Sequence, residues 1–282
     1  MTNPTARPTA SYLEERLGTP TWVHGVGFVR VIDYMGDDSS VVRAARQSYG
    51  DTQPVRGAAP LINYLMRHRH TSPFEACEIA FQIRAPIFVA RQWMRHRTGS
   101  FNEESARYTE LDHGYYLPAQ GNMRLQSSSN KQGSEGVMPT KDAEHVQVRL
   151  DDAMKLAVNT YQMALRHGLA REQTRIVLPV ASYTTFSWKI DLHNLFHFLN
   201  LRLAPDAQKE TRAYAEVIEQ IVAEWVPLSH AAWIEHQRDA RLLSATMREV
   251  LSRMLKGERL TQETSGMTVR EWAEMQEAIG YE

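Results

Sequence analysis

Three basic side chains in a row, Arg95, His96 and Arg97, run into Thr98-Gly99-Ser100-Phe101-Asn102-Glu103-Glu104-Ser105-Ala106-Arg107-Tyr108. Fixed cations beside hydroxyls and carboxylates suit a phosphate-bearing ligand whose uncharged part also needs hydrogen bonds. Gln92 lies three residues before Arg95 and four before His96, so on a helix they share a face. A solvated basic helix end is the plain alternative, because cations are favoured at helix C-termini. The dense mix of donors and acceptors from Ser100 to Ser105, with no turn glycine after Gly99, speaks against it. Ser105 as a nucleophile would need a positioned His base. None is evident, so phosphate or sugar binding ranks higher for that hydroxyl.

Other polar clusters punctuate the chain. His68-Arg69-His70-Thr71-Ser72-Pro73-Phe74-Glu75 holds two histidines whose side chains would diverge on a helix, without a Cys or His-Glu-x-x-His partner for a metal. His193 and His197 stand at i,i+4, a chelating spacing, yet no third ligand is evident, so we assign no metal. Arg171 and Arg175 share a face of a helix ending before Pro179, either as a surface charge pattern or as anion ligands. The lone Cys77 falls on an apolar strand face outside the polar motifs, a poor place for a nucleophile.

These residues must be carried by regular elements. A loosely ordered arm (1–26) contains a short helical piece near Tyr12–Leu17. Gly27–Tyr34 reads as a strand, and Asp37 or Asp38 caps a helix ending near Ser48-Tyr49-Gly50. A helix over Ala58–Arg69 places Leu61, Tyr64, Leu65 and His68 on one face. Cys77, Ile79, Phe81 and Ile83 alternate with polar residues as in a strand, and Pro86 opens a helix Ile87–His96. The Ser, Gly and Asn content of 119–143 predicts a long mobile loop. A helix follows over Ala143–His167, with Val146, Leu150, Ala153, Ala157, Tyr161 and Leu165 as its apolar stripe. Ser182–Lys189 suits a strand, Asp191 caps a helix to about Leu203, and Asp206–Val226 is helical. The expected fold class is α+β, with helices packed around a short antiparallel sheet in one large domain (27–237) and a helical tail (238–282).

Composition narrows the function. The 282 residues hold 43% apolar side chains, enough for a sizeable core. Lys plus Arg is 32 against 33 for Asp plus Glu, so no global basic field draws the chain to nucleic acid, which weakens an RNA-binding reading. A single cysteine excludes an internal disulfide and fits a reducing cytoplasm. The polar start, Met1–Ala10, lacks the apolar core of a signal peptide, and no stretch reaches the length of a membrane span. No Gly-x-Gly-x-x-Gly run marks a doubly wound dinucleotide fold. From residue chemistry alone the chain is an enzyme for a phosphorylated ligand, or a nucleotide-binding regulator.

The order Arg-His-Arg, seven residues, Ser, then Arg two further on resembles the signature of the flavin-dependent thymidylate synthases. Three further segments are similar to theirs: His70-Thr71-Ser72-Pro73-Phe74-Glu75, Arg171-Glu172-Gln173-Thr174-Arg175-Ile176-Val177-Leu178-Pro179, and Leu201-Arg202. The likeness spans about residues 27–230, with its motifs in the family's order. It implies that Arg95, His96 and Arg97 contact the flavin, with His70, Ser72 and Glu75 also on the cofactor side. Asp191, His193 and His197 would face the flavin too, where many members carry Asn, Arg and Asn. The nucleotide, deoxyuridine monophosphate (dUMP), would meet Gln92, Trp93, Met94, Arg95, Glu103, Glu104, Ser105, Ala106, Arg107 and Arg175. Glu103 would serve either a sugar hydroxyl or the cofactor. Arg202 would activate the substrate as the catalytic residue. Arg43-Ala44-Ala45-Arg46-Gln47-Ser48 resembles an early family helix, with Ser48 a wall of the folate or substrate cavity. The implied chemistry is reductive methylation of dUMP with methylenetetrahydrofolate as carbon donor, FAD as hydride carrier and NADPH as its reductant. The implied assembly is a cytoplasmic homotetramer with shared sites.

Overall fold

The computed structural model describes residues 7–47, 57–111, 113–128, 130–131 and 133–280. Two compact units divide the chain, 1–232 and 233–282. In the first, α1 (Ser11–Arg16) leads through β1 (Thr21–Val23) into β2 (Gly27–Met35), and α2 (Asp38–Gln47) and α3 (Ala58–Arg67) follow. A 3-10 turn, Phe74–Ala76, precedes β3 (Glu78–Pro86), α4 (Ile87–Trp93) and β4 (Ser100–Glu103). After a short hairpin of β5 (Leu125–Gln126) and β6 (Ser134–Glu135) come the long α5 (Thr140–Arg166) and the short α6 (Arg171–Thr174). Then β7 (Tyr183–Asp191), α7 (Leu192–Arg202), α8 (Lys209–Trp225) and α9 (Pro227–Trp233) complete it.

The main sheet has the order β1-β2-β3-β7-β4, with every pairing antiparallel. Its centre is β3 against β7. There Cys77, Ile79, Phe81 and Ile83, the alternating positions, are fully buried. Trp93 of α4, Trp188 of β7 and Phe198 of α7 meet over this sheet with ring centroids 4.8–5.2 Å apart. Gly99 lies against the Trp188 indole and the Lys189 carbonyl, where any Cβ would collide. The aromatic cluster therefore fixes the end of α4, the start of β4 and the middle of α7 against one another.

Capping follows the sequence closely. Asp37 accepts from the backbone N–H of Ser39 (2.9 Å) and Ser40 (3.2 Å) and so caps α2. Asp38 instead caps α9, accepting from Leu228 N (2.8 Å) and from Ser229 N and Oγ (2.9 and 2.6 Å). Asp191 caps α7 through Asn194 N at 2.9 Å.

Several expectations need correction. The buried face of α3 is Ile62, Leu65 and Met66, while Leu61 and Tyr64 are half-covered and His68 is exposed. The segment 119–143 is not a bare loop. It holds a 3-10 turn (Gln120–Asn122), the β5–β6 hairpin and the start of α5 at Thr140. The helix after Pro86 stops at Trp93, three residues early, and α8 starts at Lys209 rather than Asp206. Along α5 only Ala143 and Tyr161 are fully buried, and Leu150 of the predicted stripe is exposed. Ser48 lies outside the described residues.

The second unit is helical, as its amphipathic sequence suggests. A π-helical turn (Ile234–Arg238) precedes α10 (Ala245–Leu255), α11 (Gln262–Ser265) and α12 (Val269–Ile279). Met247, Val250, Met267 and Met275 form its own small core, lined by Leu251 and Trp272. Thr261 and Thr268 build capping boxes, and Gly266 and Gly280 close α11 and α12 in the left-handed conformation.

Candidate active site

Arg202 sits on the last turn of α7, half-buried, where a helix C-terminus favours a cation. Its Nε donates to His96 Nε2 at 2.9 Å and its Nη2 to the Gln92 carbonyl at 3.0 Å. His96 is 7% exposed and packs on Phe198 with centroids 4.8 Å apart. Burial, then the Arg202 charge and His197, hold its pKa down to about 4, so the imidazole is neutral at physiological pH. An acceptor Nε2 fixes the remaining ring proton on Nδ1. The Gln92 side chain is tied to Gln208 in the loop before α8. Arg202, His96 and Gln92 thus form one inner wall.

A second polar group, the rim, gathers around the end of β4 and is built differently. β4 pairs with β7, and Glu103 at its end accepts from Thr184 Oγ1 at 2.7 Å. Glu104 is braced by His113 (2.9 Å) and Thr109 (3.1 Å). The Ser105 hydroxyl accepts from Arg107 N at 3.3 Å, and its carbonyl accepts from Tyr108 N and Thr109 N, so Ser105 makes a tight turn rather than a nucleophile–base pair. Arg107 reaches Glu172 at 3.4 Å, and Arg171 reaches Glu110 at 3.4 Å and the Tyr108 carbonyl at 3.1 Å. These residues, with Leu165, Gly168, Leu169 and Ala170, line an open cavity of about 480 Å³. Arg95, Arg97 and Arg175 are exposed and form no ion pair among the described residues.

The third group lies beside α7. The Phe74–Ala76 turn packs on that helix, which brings the segment bearing His70, Ser72 and Glu75, all exposed, alongside it. His193 is half-buried and His197 exposed, the latter 6.1 Å from His96 between ring centroids. Among the described residues no group of three His, Cys, Asp or Glu side chains could hold a metal ion.

Four of the expected site residues are buried or engaged within the fold. The Trp93 ring is fully buried in the aromatic core. Ala106 is likewise buried and offers a ligand only backbone. His96 is buried and its Nε2 accepts from Arg202, whereas Arg95 and Arg97 are exposed. The Asp191 carboxylate is engaged by Asn194 N and Nδ2, at 2.9 and 2.7 Å, as a helix cap. Met94 is half-buried at the end of α4. Gln208, Thr184 and Glu172 join these residues through their contacts with Gln92, Glu103 and Arg107. Glu172 stands inside a quoted motif and was open to notice, whereas Gln208 lies 116 residues from Gln92 with nothing local to mark it.

Exposed guanidiniums, a neutral buried imidazole and a half-buried Arg202 are groups that an enzyme for a phosphorylated, planar ligand would use. Comparison with known proteins identifies it further. The model of the thymidylate synthase complementing protein family matches residues 30–228. A flavin-dependent thymidylate synthase of Gluconobacter oxydans is 51% identical over 275 residues, 96% of this chain and 91% of that protein. Those of Ruegeria pomeroyi and Rickettsia conorii are each 46% identical, over 99% of this chain and 94% and 100% of theirs. A crystal structure of the UMP/dUMP methylase PolB from Streptomyces cacaoi, bound with 5-Br UMP, matches with TM-score 0.69 and 38% identity. It covers 75% of this chain and 96% of that one. The chain belongs to the flavin-dependent thymidylate synthases.

Proposed function

We propose that this enzyme methylates C5 of dUMP to give dTMP, taking the carbon from methylenetetrahydrofolate, with FAD as its flavin and NADPH as the reductant of that flavin. The observation that carries the reading is Arg202, held on two sides at the end of α7, with no further hydrogen bond from its guanidinium among the described residues. A cation set against N3 of the pyrimidine and its neighbouring carbonyl favours the deprotonated ring, whose negative charge spreads to C5 and makes it nucleophilic. In a water-poor site a fixed charge of this kind supplies about 3–4 kcal/mol.

The alternative activation, addition of a thiolate at C6, has no candidate among the described residues. Cys77 is fully buried, its Sγ donates to the Asp37 carbonyl at 3.3 Å, and burial beside Asp37 and Asp38 pushes its pKa up to about 12.

The residues fit a flavin by their chemistry. Exposed Arg95 and Arg97 suit a diphosphate, and His70, Ser72, His193 and His197 suit the polar edge of a flat ring. When bound, the flavin supplies the hydride that turns the transferred methylene into methyl. Ser105 and Arg107 suit the dUMP phosphate, a hydroxyl and backbone N–H beside a guanidinium, and Arg175 would join them. Gln92, Glu103 and Glu104 would orient base and sugar.

A homotetramer is part of the proposal. Val148, Leu156 and Met163 are 53%, 69% and 43% exposed along α5, and Ile176 beside Arg175 is 84% exposed. Apolar surface of this kind suits burial against further copies of the chain, and sites shared between copies would give Arg175 its anion. No helix among the described residues is long and apolar enough to cross a membrane. A reducing cytoplasm is the setting we assign, given one buried thiol.

The test supplies dUMP, methylenetetrahydrofolate, FAD and NADPH to the purified protein and quantifies dTMP. UMP is run beside dUMP, because the PolB relative is a UMP/dUMP methylase. Omission of any one component is expected to stop turnover. Absence of dTMP from the complete mixture, with flavin bound, would overturn the reading. Sedimentation analysis checks the assembly, with a mass near that of four 32.3 kDa chains expected.

A further inference from the structure

Two of the five N–H donors of Arg202 are already used, Nε–H on His96 and one Nη2–H on the Gln92 carbonyl. Of the three left, one on Nη1 and the one on Nη2 form the outer edge of the planar guanidinium, and the second Nη1–H points back beside Cδ. That edge matches two adjacent acceptors of a pyrimidine, one of them a deprotonated nitrogen. We propose that His96 is the positioning residue of the reaction: its Nε2 locks the Nε side of Arg202, so that the Nη edge is presented to the base. The inference rests on the reading of Arg202 as the group that activates the pyrimidine.

Three observations support it. His96 is held from behind by Phe198, at 4.8 Å between centroids, and is 7% exposed, so its ring cannot swing to follow a mobile guanidinium. The second anchor of Arg202 is itself anchored, because Gln92 is tied through its side chain to Gln208, six residues beyond Arg202. Finally, only the neutral imidazole can accept from a guanidinium. The groups facing it, Arg202 and His197 from α7, repel a proton, and together with burial they keep the ring uncharged down to about pH 4. An arginine fixed in this way has little left to reorganise when charge develops on the substrate.

The test uses the full-length, flavin-loaded protein and the variants His96→Phe, His96→Gln and Arg202→Ala. Phenylalanine fills the ring space beside Phe198 without an acceptor, and the glutamine Oε1 can take the place of Nε2. Flavin absorbance, kcat for dTMP and KM for dUMP are measured for each. His96→Phe is expected to keep its flavin and lose about tenfold to 100-fold in kcat with a smaller change in KM, the size of effect that a displaced catalytic group produces. His96→Gln should recover most of that loss, which a merely space-filling role would not allow. A His96→Phe variant with wild-type kcat, a His96→Gln variant no better than it, or loss of flavin from His96→Phe would each overturn the proposal. If the phenylalanine variant fails to fold, His96→Met carries the same comparison. An active Arg202→Ala variant would instead sink the reading on which the inference stands.

Discussion

Two polar groups of this chain, the wall around Arg202 and the rim around Arg107 and Arg171, both rest on arginine and use it in opposite ways. Arg202 is half-buried and held by a neutral imidazole and a backbone carbonyl, neither of which cancels its charge. Arg107 and Arg171 are solvent-exposed and paired with Glu172 and Glu110, at 3.4 Å each. An exposed pair of that kind contributes up to about 1 kcal/mol and yields readily to a dianionic phosphate. A neutral acceptor leaves the full charge for the substrate, whereas a carboxylate partner must be displaced first. The rim is thus suited to capturing a ligand and the wall to changing its electronic state.

The comparison breaks most visibly at Arg202. Arg202→Ala should lower kcat for dUMP methylation by about 100-fold to 1000-fold while the flavin spectrum is retained. Arg107→Ala should act on capture instead, raising KM for dUMP about tenfold to 100-fold by loss of one charge-assisted contact, with a lesser effect on kcat. Steady-state kinetics at two salt concentrations checks this, because the rim is exposed and screened.

A smaller effect concerns pH and stability. His96 has its folded pKa depressed from 6.5 to about 4. Between those values the unfolded chain binds a proton that the folded chain refuses. The contribution is therefore fully present above pH 6.5 and is lost as pH falls towards 4. Urea midpoints at pH 7 and pH 5 should differ more for the wild type than for His96→Phe; equal differences would mean that the buried imidazole does not govern the wall. The smallest effects belong to Glu172→Gln and Cys77→Ala. The first should change stability by less than about 1 kcal/mol. The second should leave kcat nearly unchanged, and a folded but inactive Cys77→Ala protein would restore the thiolate route.

Much of the rim was legible in the sequence because its residues are local. Ser105, Arg107 and Glu104 fall within one short run, and the Ser105 turn needs nothing from elsewhere. The wall was legible by residue but not by geometry. Arg202 and His96 are 106 residues apart, and the contacts of Phe198 with Trp93 and of Arg202 with the Gln92 carbonyl bring them together. Trp93 lies inside a polar motif, which does not mark its burial. Its position in register with Val89 and Ala90 marks it as core once α4 is read as a helix. The β5–β6 hairpin escaped notice because its strands are two residues long, too short for an alternating pattern. The expected α5 stripe holds at Val146, Ala157, Tyr161 and Leu165 but not at Leu150 and Ala153, which are exposed, as are Val148, Leu156 and Met163 outside it.

The most direct test of the division between wall and rim is one set of steady-state measurements, kcat and KM for dUMP on flavin-loaded Arg202→Ala and Arg107→Ala proteins side by side. The account predicts that the first loses mainly kcat and the second mainly apparent affinity. An Arg202→Ala enzyme with near-normal kcat, or an Arg107→Ala enzyme whose loss falls wholly in kcat, would contradict it.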